Sequence, residues 1–217
     1  MNDLIIFGNS IFAEIAIFYF KKFSNYKICY ITCEESYNKQ DKFHGIQQIT
    51  LDEALKKNNR KYKIFVAVGY SKMNSVREKF YTKFKLKGFN MASFIHPSSY
   101  VYSLKIGENN FVMDNVSINP FSKIGNNNIF WSGSIIGHHC TIGNNNFFSG
   151  NSTISGNCIV KKNNFFGVNT STKDGITISN KCFIDANQHI NKDLKSEVYF
   201  NNKINPKQIL KTSQIFD

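Results

Sequence analysis

Ile106-Gly-Glu-Asn-Asn-Phe, Ile124-Gly-Asn-Asn-Asn-Ile, Ile142-Gly-Asn-Asn-Asn-Phe, Val160-Lys-Lys-Asn-Asn-Phe and Ile178-Ser-Asn-Lys-Cys-Phe are five versions of one phrase, set eighteen residues apart. A finer repeat runs inside them. Stepping by six from Ile106 through Val112 and Ile118 to Ile190 meets fifteen positions, of which fourteen are large and apolar; Thr172 is the exception. A helix repeats near 3.6 residues and a lone strand at 2, so a strict period of six needs a fold whose own unit is six residues long. That fold is a β-helix of hexapeptide repeats. Three hexapeptides make one triangular coil, and about five coils stack over residues 106–195.

Two side registers agree with this reading. Four residues after the apolar positions stand mostly small or short residues, among them Val116, Ser122, Ser134, Cys140, Ser152, Cys158 and Thr170, as a tight interior corner requires. Asn109, Asn127, Asn145 and Asn163 fall where a corner demands φ > 0, which Asn tolerates. One residue on, Asn110, Asn128, Asn146 and Asn164 are expected to form an amide ladder. No shift of register occurs between Ile106 and Ile190, so no loop is extruded from the coils, and substrate recognition must come from elsewhere in the chain or from a neighbouring subunit.

The preceding residues read differently. Leu4-Ile-Ile-Phe7 is a short apolar run ended by Gly8-Asn9-Ser10 and followed by a helical pattern from Ile11 to Phe18. A strand is predicted at 28–31, then a polar loop through His44-Gly45, a helix at 51–57 and a strand at 64–68. Gly69-Tyr70 leads into a helix over 71–87, with Met73, Val76, Phe80 and Phe84 on one face and Gly88 as its cap. Strands alternating with helices argue a small parallel α/β domain over residues 1–92. The strand–turn–helix at Gly8 aims backbone N–H groups at whatever lies above it, which suits phosphate, though one glycine alone is ordinary α/β packing. Residues 93–195 form the β-helix domain, and 196–217, through Val198-Tyr-Phe and Pro206, a closing tail.

Composition narrows the class. No apolar run approaches a membrane span and no cleavable leader opens the chain, so it reads as cytoplasmic. The five cysteines lack a Cys-x-x-Cys pair, which favours small buried thiols over disulfides or zinc. Of the formal net charge of +12, most sits in residues 1–105, which hold 17 Lys/Arg against 8 Asp/Glu. Those lysines are scattered along helices and not interleaved with exposed aromatics, which speaks against nucleic acid. A solvated surface or an anionic small ligand such as a nucleotide sugar remains.

Of the five histidines, two are adjacent in Ile136-Gly-His138-His139-Cys140. Ile136 and Cys140 take inward registers, which puts His138 on the outer wall, with Pro120 one coil below and Gly156 one coil above. A neutral imidazole beside a bare backbone has room for a ligand and the basicity of a general base near pH 7. An exposed histidine without a role is the plain alternative.

At these residues the chain resembles the NeuD/PglD-type sugar acyltransferases of the hexapeptide-repeat superfamily, over nearly its whole length. The resemblance is carried by Ile6-Phe-Gly-Asn-Ser-Ile-Phe-Ala13, Val66-Ala-Val-Gly-Tyr70 with Asn74 and Arg77, Ile95-His-Pro-Ser98, Trp131-Ser-Gly-Ser-Ile-Ile-Gly-His-His139 and Ile154-Ser-Gly156. It implies a Rossmann-like N-terminal domain ahead of a left-handed parallel β-helix, and a homotrimer with active sites between β-helices. It also implies acetyl-CoA as co-substrate with no metal, and a nucleotide-linked amino sugar in surface-glycan synthesis as acceptor. His138 matches the catalytic base. Gly156 matches the position whose N–H contacts the acyl carbonyl, an aid worth about 2.7–4 kcal/mol where such donors have been removed elsewhere. Gly8, Ser10, Gly69 and Tyr70 match positions around the sugar nucleotide. The sequence departs from the pattern twice: His139 stands where many relatives carry an acid that orients the base, and Phe147 where some carry a second histidine against the thioester. Phe147 is placed at the cofactor on that correspondence. O-acetylation is the nearest rival. A non-catalytic scaffold and a metal hydratase are further ones, the latter needing converging histidines that His96, His138, His139 and His189 do not offer by spacing.

Overall fold

A computed structural model describes residues 2–103 and 105–201; the end of the closing tail lies outside the described residues. The chain opens with β1 (Asn2–Phe7), α1 (Ile11–Phe23), β2 (Tyr26–Thr32), β3 (Lys42–Phe43), β4 (Ile46–Ile49), α2 (Leu51–Leu55), β5 (Tyr62–Val66) and α3 (Ser75–Leu86). The five strands form one sheet in the order β3-β4-β2-β1-β5, parallel except for the β3/β4 pair. The expected polar loop at His44-Gly45 is instead the turn of that hairpin. Both residues have positive φ (48° and 75°), the requirement of a two-residue turn matched to strand twist. Helix α2 starts on a capping box: Thr50 accepts from Glu53 N–H while the Glu53 carboxylate takes the Thr50 N–H.

Helix α3 begins four residues later than its apolar stripe predicts, because Lys72, Met73 and Asn74 all adopt left-handed backbone (φ 47°, 51° and 64°). The strain is met by specific bonds, with Asn74 N–H donating to Tyr70 C=O at 3.1 Å and its side chain to Asn164 C=O at 3.1 Å. The helix ends as its sequence predicts. Gly88 has φ 79°, its N–H reaches Lys85 C=O, and Phe89 N–H reaches Phe84 C=O, the paired bonds of a Schellman cap.

From Phe94 the chain winds as a left-handed parallel β-helix of two-residue strands. Its three faces hold 7, 6 and 5 strands, beginning at Phe94–Ile95, Tyr100–Val101 and Lys105–Ile106 respectively. Rungs before Ile106 and at Tyr199–Phe200 extend the ladder beyond the coils of the six-residue count. The hexad residue is the second of each strand and points inward. Phe130, Phe148 and Phe166 stack along the axis, with centroids 4.9 Å apart and rings within 1° and 10° of parallel, which is the rung spacing of a sheet. Cys140, Cys158 and Cys182 are buried free thiols in the small-residue register.

The residue before each hexad position points outward, and on the Phe94 face this row is apolar. Phe111, Ile129 and Phe147 are buried in one cluster with Phe12 and Phe20 of α1 and Phe65 of β5. The α/β sheet and the prism therefore share a core, each large side chain contributing about 1.5–3 kcal/mol by leaving water. The Asn series edges this contact. Asn109, Asn127, Asn145 and Asn163 have φ of 53°, 59°, 62° and 60°, as expected. It is this series that carries the amide-to-amide chain, Asn109 donating to Asn127 and Asn127 to Asn145 at 2.7 Å each. Asn109 also accepts the Val66 N–H of β5. The Asn110 series turns inward and mainly pairs with backbone, as where Asn128 donates to Gly143 C=O and accepts from Asn146 N–H.

Candidate active site

The structure assembles two half-sites on opposite sides of the prism. The first is a cleft of about 760 Å³ in the α/β domain, lined by the β1–α1 turn (Gly8, Asn9, Ser10), the segment after β2 (Cys33, Glu34, Tyr37) and the segment from Ala67 to Lys79. Gly8 has φ 131°, its N–H bonds Thr32 C=O, and a Cβ there would collide with Ala67 C=O. Only glycine lets β1 end against β5 in this way. Ser10 caps α1 with its backbone while its side chain makes no cap bond. Gly69 lines the cleft, as do Lys72 and Lys79, the latter 3.2 Å from Glu34.

Tyr70 turns out of the cleft and rests on Phe147 and Phe165, at centroid distances of 5.2 and 4.7 Å. Phe147 is only 4% exposed and belongs to the shared core. Its register explains this: as the outward residue of a Phe94-face strand it meets the α/β domain, whereas His138 sits on the corner between the other two faces. Within one chain, Phe147 and His138 are not brought together.

The cleft wall is held by Arg77, which sequence reasoning noted only as part of the resemblance. It is fully buried and donates to Val68 and Gly69 C=O in the wall, and to Asn127 and Asn146 C=O in the prism, at 2.6 to 3.2 Å. Burial lowers its pKa to about 9, which leaves it charged at neutral pH, its charge spread over four carbonyl dipoles. The signal was present: Arg77 interrupts the apolar stripe of α3.

The second half-site is the corner at His138, between strands Ile135–Ile136 and Thr141–Ile142. Gly137 N–H bonds Ile154 C=O and Asn157 N–H bonds His138 C=O, locking the corner to the next rung. The imidazole lies across Gly156. A Cβ at 156 would stand 2.7 Å from His138 Cε1, 2.8 Å from Nε2 and 3.2 Å from Nδ1. Glycine thus lets the ring reach the backbone. At matching hexapeptide positions, Glu108, Asn126 and Lys162 donate their N–H to an Asn side chain one rung on. No hydrogen bond within the described residues uses the Gly156 N–H. The corner therefore combines an exposed imidazole with a free amide, the elements of proton removal and oxyanion stabilisation. His138 Nδ1 lies 3.0 Å from His139 Nδ1.

Among the described residues, no three His, Cys, Asp or Glu side chains gather as a metal set, and no helix is long and apolar enough to cross a membrane.

Comparison with known proteins gives a consistent picture. Residues 3–84 match the PglD N-terminal domain, and residues 103–138 the bacterial transferase hexapeptide of six repeats. No curated protein matches the sequence. The acetyltransferase domain of PglB from Neisseria gonorrhoeae FA1090 superposes with a TM-score of 0.79 at 20% identity, over 90% of this chain and 94% of that one. WeeI from Acinetobacter baumannii AYE gives 0.80 at 16% identity, over 95% and 99%. PerB from Caulobacter crescentus, solved with CoA and GDP-perosamine, gives 0.68 at 23% identity, over 91% and 93%. In its two modules and in their order, the chain resembles these acetyltransferases: a domain matching the PglD N-terminal domain leads into bacterial transferase hexapeptide repeats, and the fold is shared along nearly the whole chain.

Proposed function

We propose that the protein transfers the acetyl group of acetyl-CoA to the amine of a nucleotide-linked amino sugar, with His138 as general base. The observation that carries this reading is the His138 ring lying across Gly156, whose N–H is free. The acceptor amine, positioned by the nucleotide, attacks the thioester carbonyl carbon. His138 Nε2 takes the amine proton as the N–C bond forms, and the Gly156 N–H donates to the carbonyl oxygen as it gains charge. Collapse breaks the C–S bond, and the proton on His138 passes to the leaving thiolate, so that amide and free CoA thiol balance amine and thioester.

The cleft supports a nucleotide as the handle. Lys72 and Lys79 and the backbone around Gly8 offer positive charge and N–H donors to a diphosphate. PerB was solved with a nucleotide-linked amino sugar and CoA, and the gonococcal PglB domain with acetyl coenzyme A; the same pair of substrates is proposed here. The α/β domain covers the Phe94 face, while His138 lies on the corner opposite that face. One protomer's cleft therefore serves a neighbour's histidine, in a homotrimer with sites between prisms. Tyr70, exposed on its outer side and resting on Phe147 and Phe165, then flanks that junction. Exposed Tyr100, Tyr102, Phe121 and Ile135 on and beside the Tyr100 face give such a contact its apolar surface. The setting is cytoplasmic, where both substrates are made.

Thiol release from acetyl-CoA with a panel of nucleotide-linked amino sugars tests the reading. His138→Ala is expected to lower kcat by about 10²- to 10⁴-fold, and turnover equal to the unsubstituted protein removes His138 from the mechanism. Mild base treatment of the product separates an amide, which survives, from the ester of the rival O-acetylation.

A further inference from the structure

Two adjacent imidazoles in hydrogen-bond contact stand beside the proposed base, and the contact couples their tautomers. His138 Nδ1 and His139 Nδ1 stand 3.0 Å apart, with the rings at 84°. One nitrogen must donate and the other accept. If His139 donates, His138 keeps its proton on Nε2, the nitrogen over Gly156, and has no lone pair there to offer. If His138 donates, Nε2 is bare. Resting on the general-base reading above, we propose that His139 is the positioning residue of this site, a neutral imidazole whose Nδ1 accepts the His138 Nδ1–H.

The surroundings of His139 hold it in that role. Its ring lies against Phe121, with centroids 4.8 Å apart and planes at 33°. Its N–H bonds Pro120 C=O at 3.2 Å. Its backbone is left-handed at φ 56°. As Nε2 gains the substrate proton, His138 becomes an imidazolium and its Nδ1–H bond to His139 becomes charge-assisted, hence stronger in the transition state than in the ground state. The proton does not move on to His139. A neutral acceptor fixes tautomer and ring orientation as a carboxylate does, while contributing no charge.

The test uses substitutions the corner accepts. Phe121 occupies the equivalent position one coil earlier with φ 65°, so His139→Phe preserves backbone and ring while removing the acceptor. His139→Asp restores an acceptor, and Asp tolerates left-handed backbone. His139→Phe is expected to lower kcat about 10- to 100-fold with KM for both substrates unchanged, and His139→Asp to retain most of the activity. Nitrogen-15 spectra of the intact enzyme are expected to show His138 protonated at Nδ1, moving to Nε2 in His139→Phe. Full kcat in His139→Phe, an equal loss in His139→Asp, or an Nε2–H tautomer of His138 in the unsubstituted enzyme overturns the proposal. The spectrum of the unsubstituted enzyme decides the point even where a variant fails to fold. Activity retained by His138→Ala marks failure of the base reading itself, a separate result.

Discussion

Replacing Gly156 by alanine tests the proposed chemistry with one methyl group. The added Cβ stands 2.7 Å from His138 Cε1 and 2.8 Å from Nε2, where ordinary contact begins at 3.4 Å. The ring must then retreat by 3.4 − 2.7 = 0.7 Å at Cε1, or rotate off the corner. It is free to do so, being exposed on its far side. The fold therefore loses little: Gly156 has no positive φ, and an exposed ring that turns aside costs about 0.5 kcal/mol or less. The chemistry loses more. A misplacement of about 1 Å can cost about 10²-fold, and a ring that rotates also breaks its Nδ1 contact with His139. We expect kcat/KM to fall about 50- to 100-fold, or about 2–3 kcal/mol of barrier, with the unfolding midpoint in urea unchanged. Gly150→Ala is the control, since its Cβ would meet nothing closer than Ser132 C=O at 3.5 Å. Steady-state thiol release on the two variants decides the matter. Gly156→Ala with the activity of Gly150→Ala would falsify the placement of the reacting groups at this corner.

Three further outcomes follow from the frame around the site. Arg77→Met removes the donor to four buried carbonyls of Val68, Gly69, Asn127 and Asn146 and should cost about 3 kcal/mol or more in urea unfolding; a loss under about 0.5 kcal/mol refutes its role as the tie between wall and prism. Asn127→Gly breaks the amide chain without straining the backbone, whereas Asn127→Ala does both at φ 59°, so the alanine variant should be less stable than the glycine one by about 1 kcal/mol; equal stability denies the left-handed requirement. Burial, then the bond to Asp114, raises the Tyr19 pKa to about 12. The folded state therefore holds that proton after the unfolded chain has released it, so stability falls as pH rises from about 10 toward 12. Tyr19→Phe should flatten that alkaline decline in a denaturation series, and an unchanged slope counts against the shift.

The prism was legible because its rule is local and repeated. One residue in six must enter a narrow triangular interior, and one in each corner must accept positive φ, so a few side-chain classes recur at fixed intervals and declare both facts. Gly156 was legible for the same reason, since the count places it one rung above His138. The late start of α3 was hidden: the stripe at Met73 and Val76 reads as helix, but Asn74 and Asn163 bond across to the other domain and hold residues 72–74 left-handed. Local propensity does not register a partner ninety residues away. The burial of Phe147 was hidden in a related way. Counting nine residues from His138 gives its position along the chain, but nine is one and a half hexapeptides, and the half step moves a residue from a corner to the middle of the Phe94 face. There the α/β domain needs an apolar contact. The same geometry argues for a site shared between chains. A domain fastened to one face of a triangular prism cannot bend round to the opposite corner, so on the proposed chemistry the cleft that serves His138 would be a neighbour's. A mixed assembly of His138→Ala protomers with protomers whose cleft is blocked by Gly8→Trp should then recover activity that neither variant shows alone, and silence in the mixture argues that each chain acts by itself.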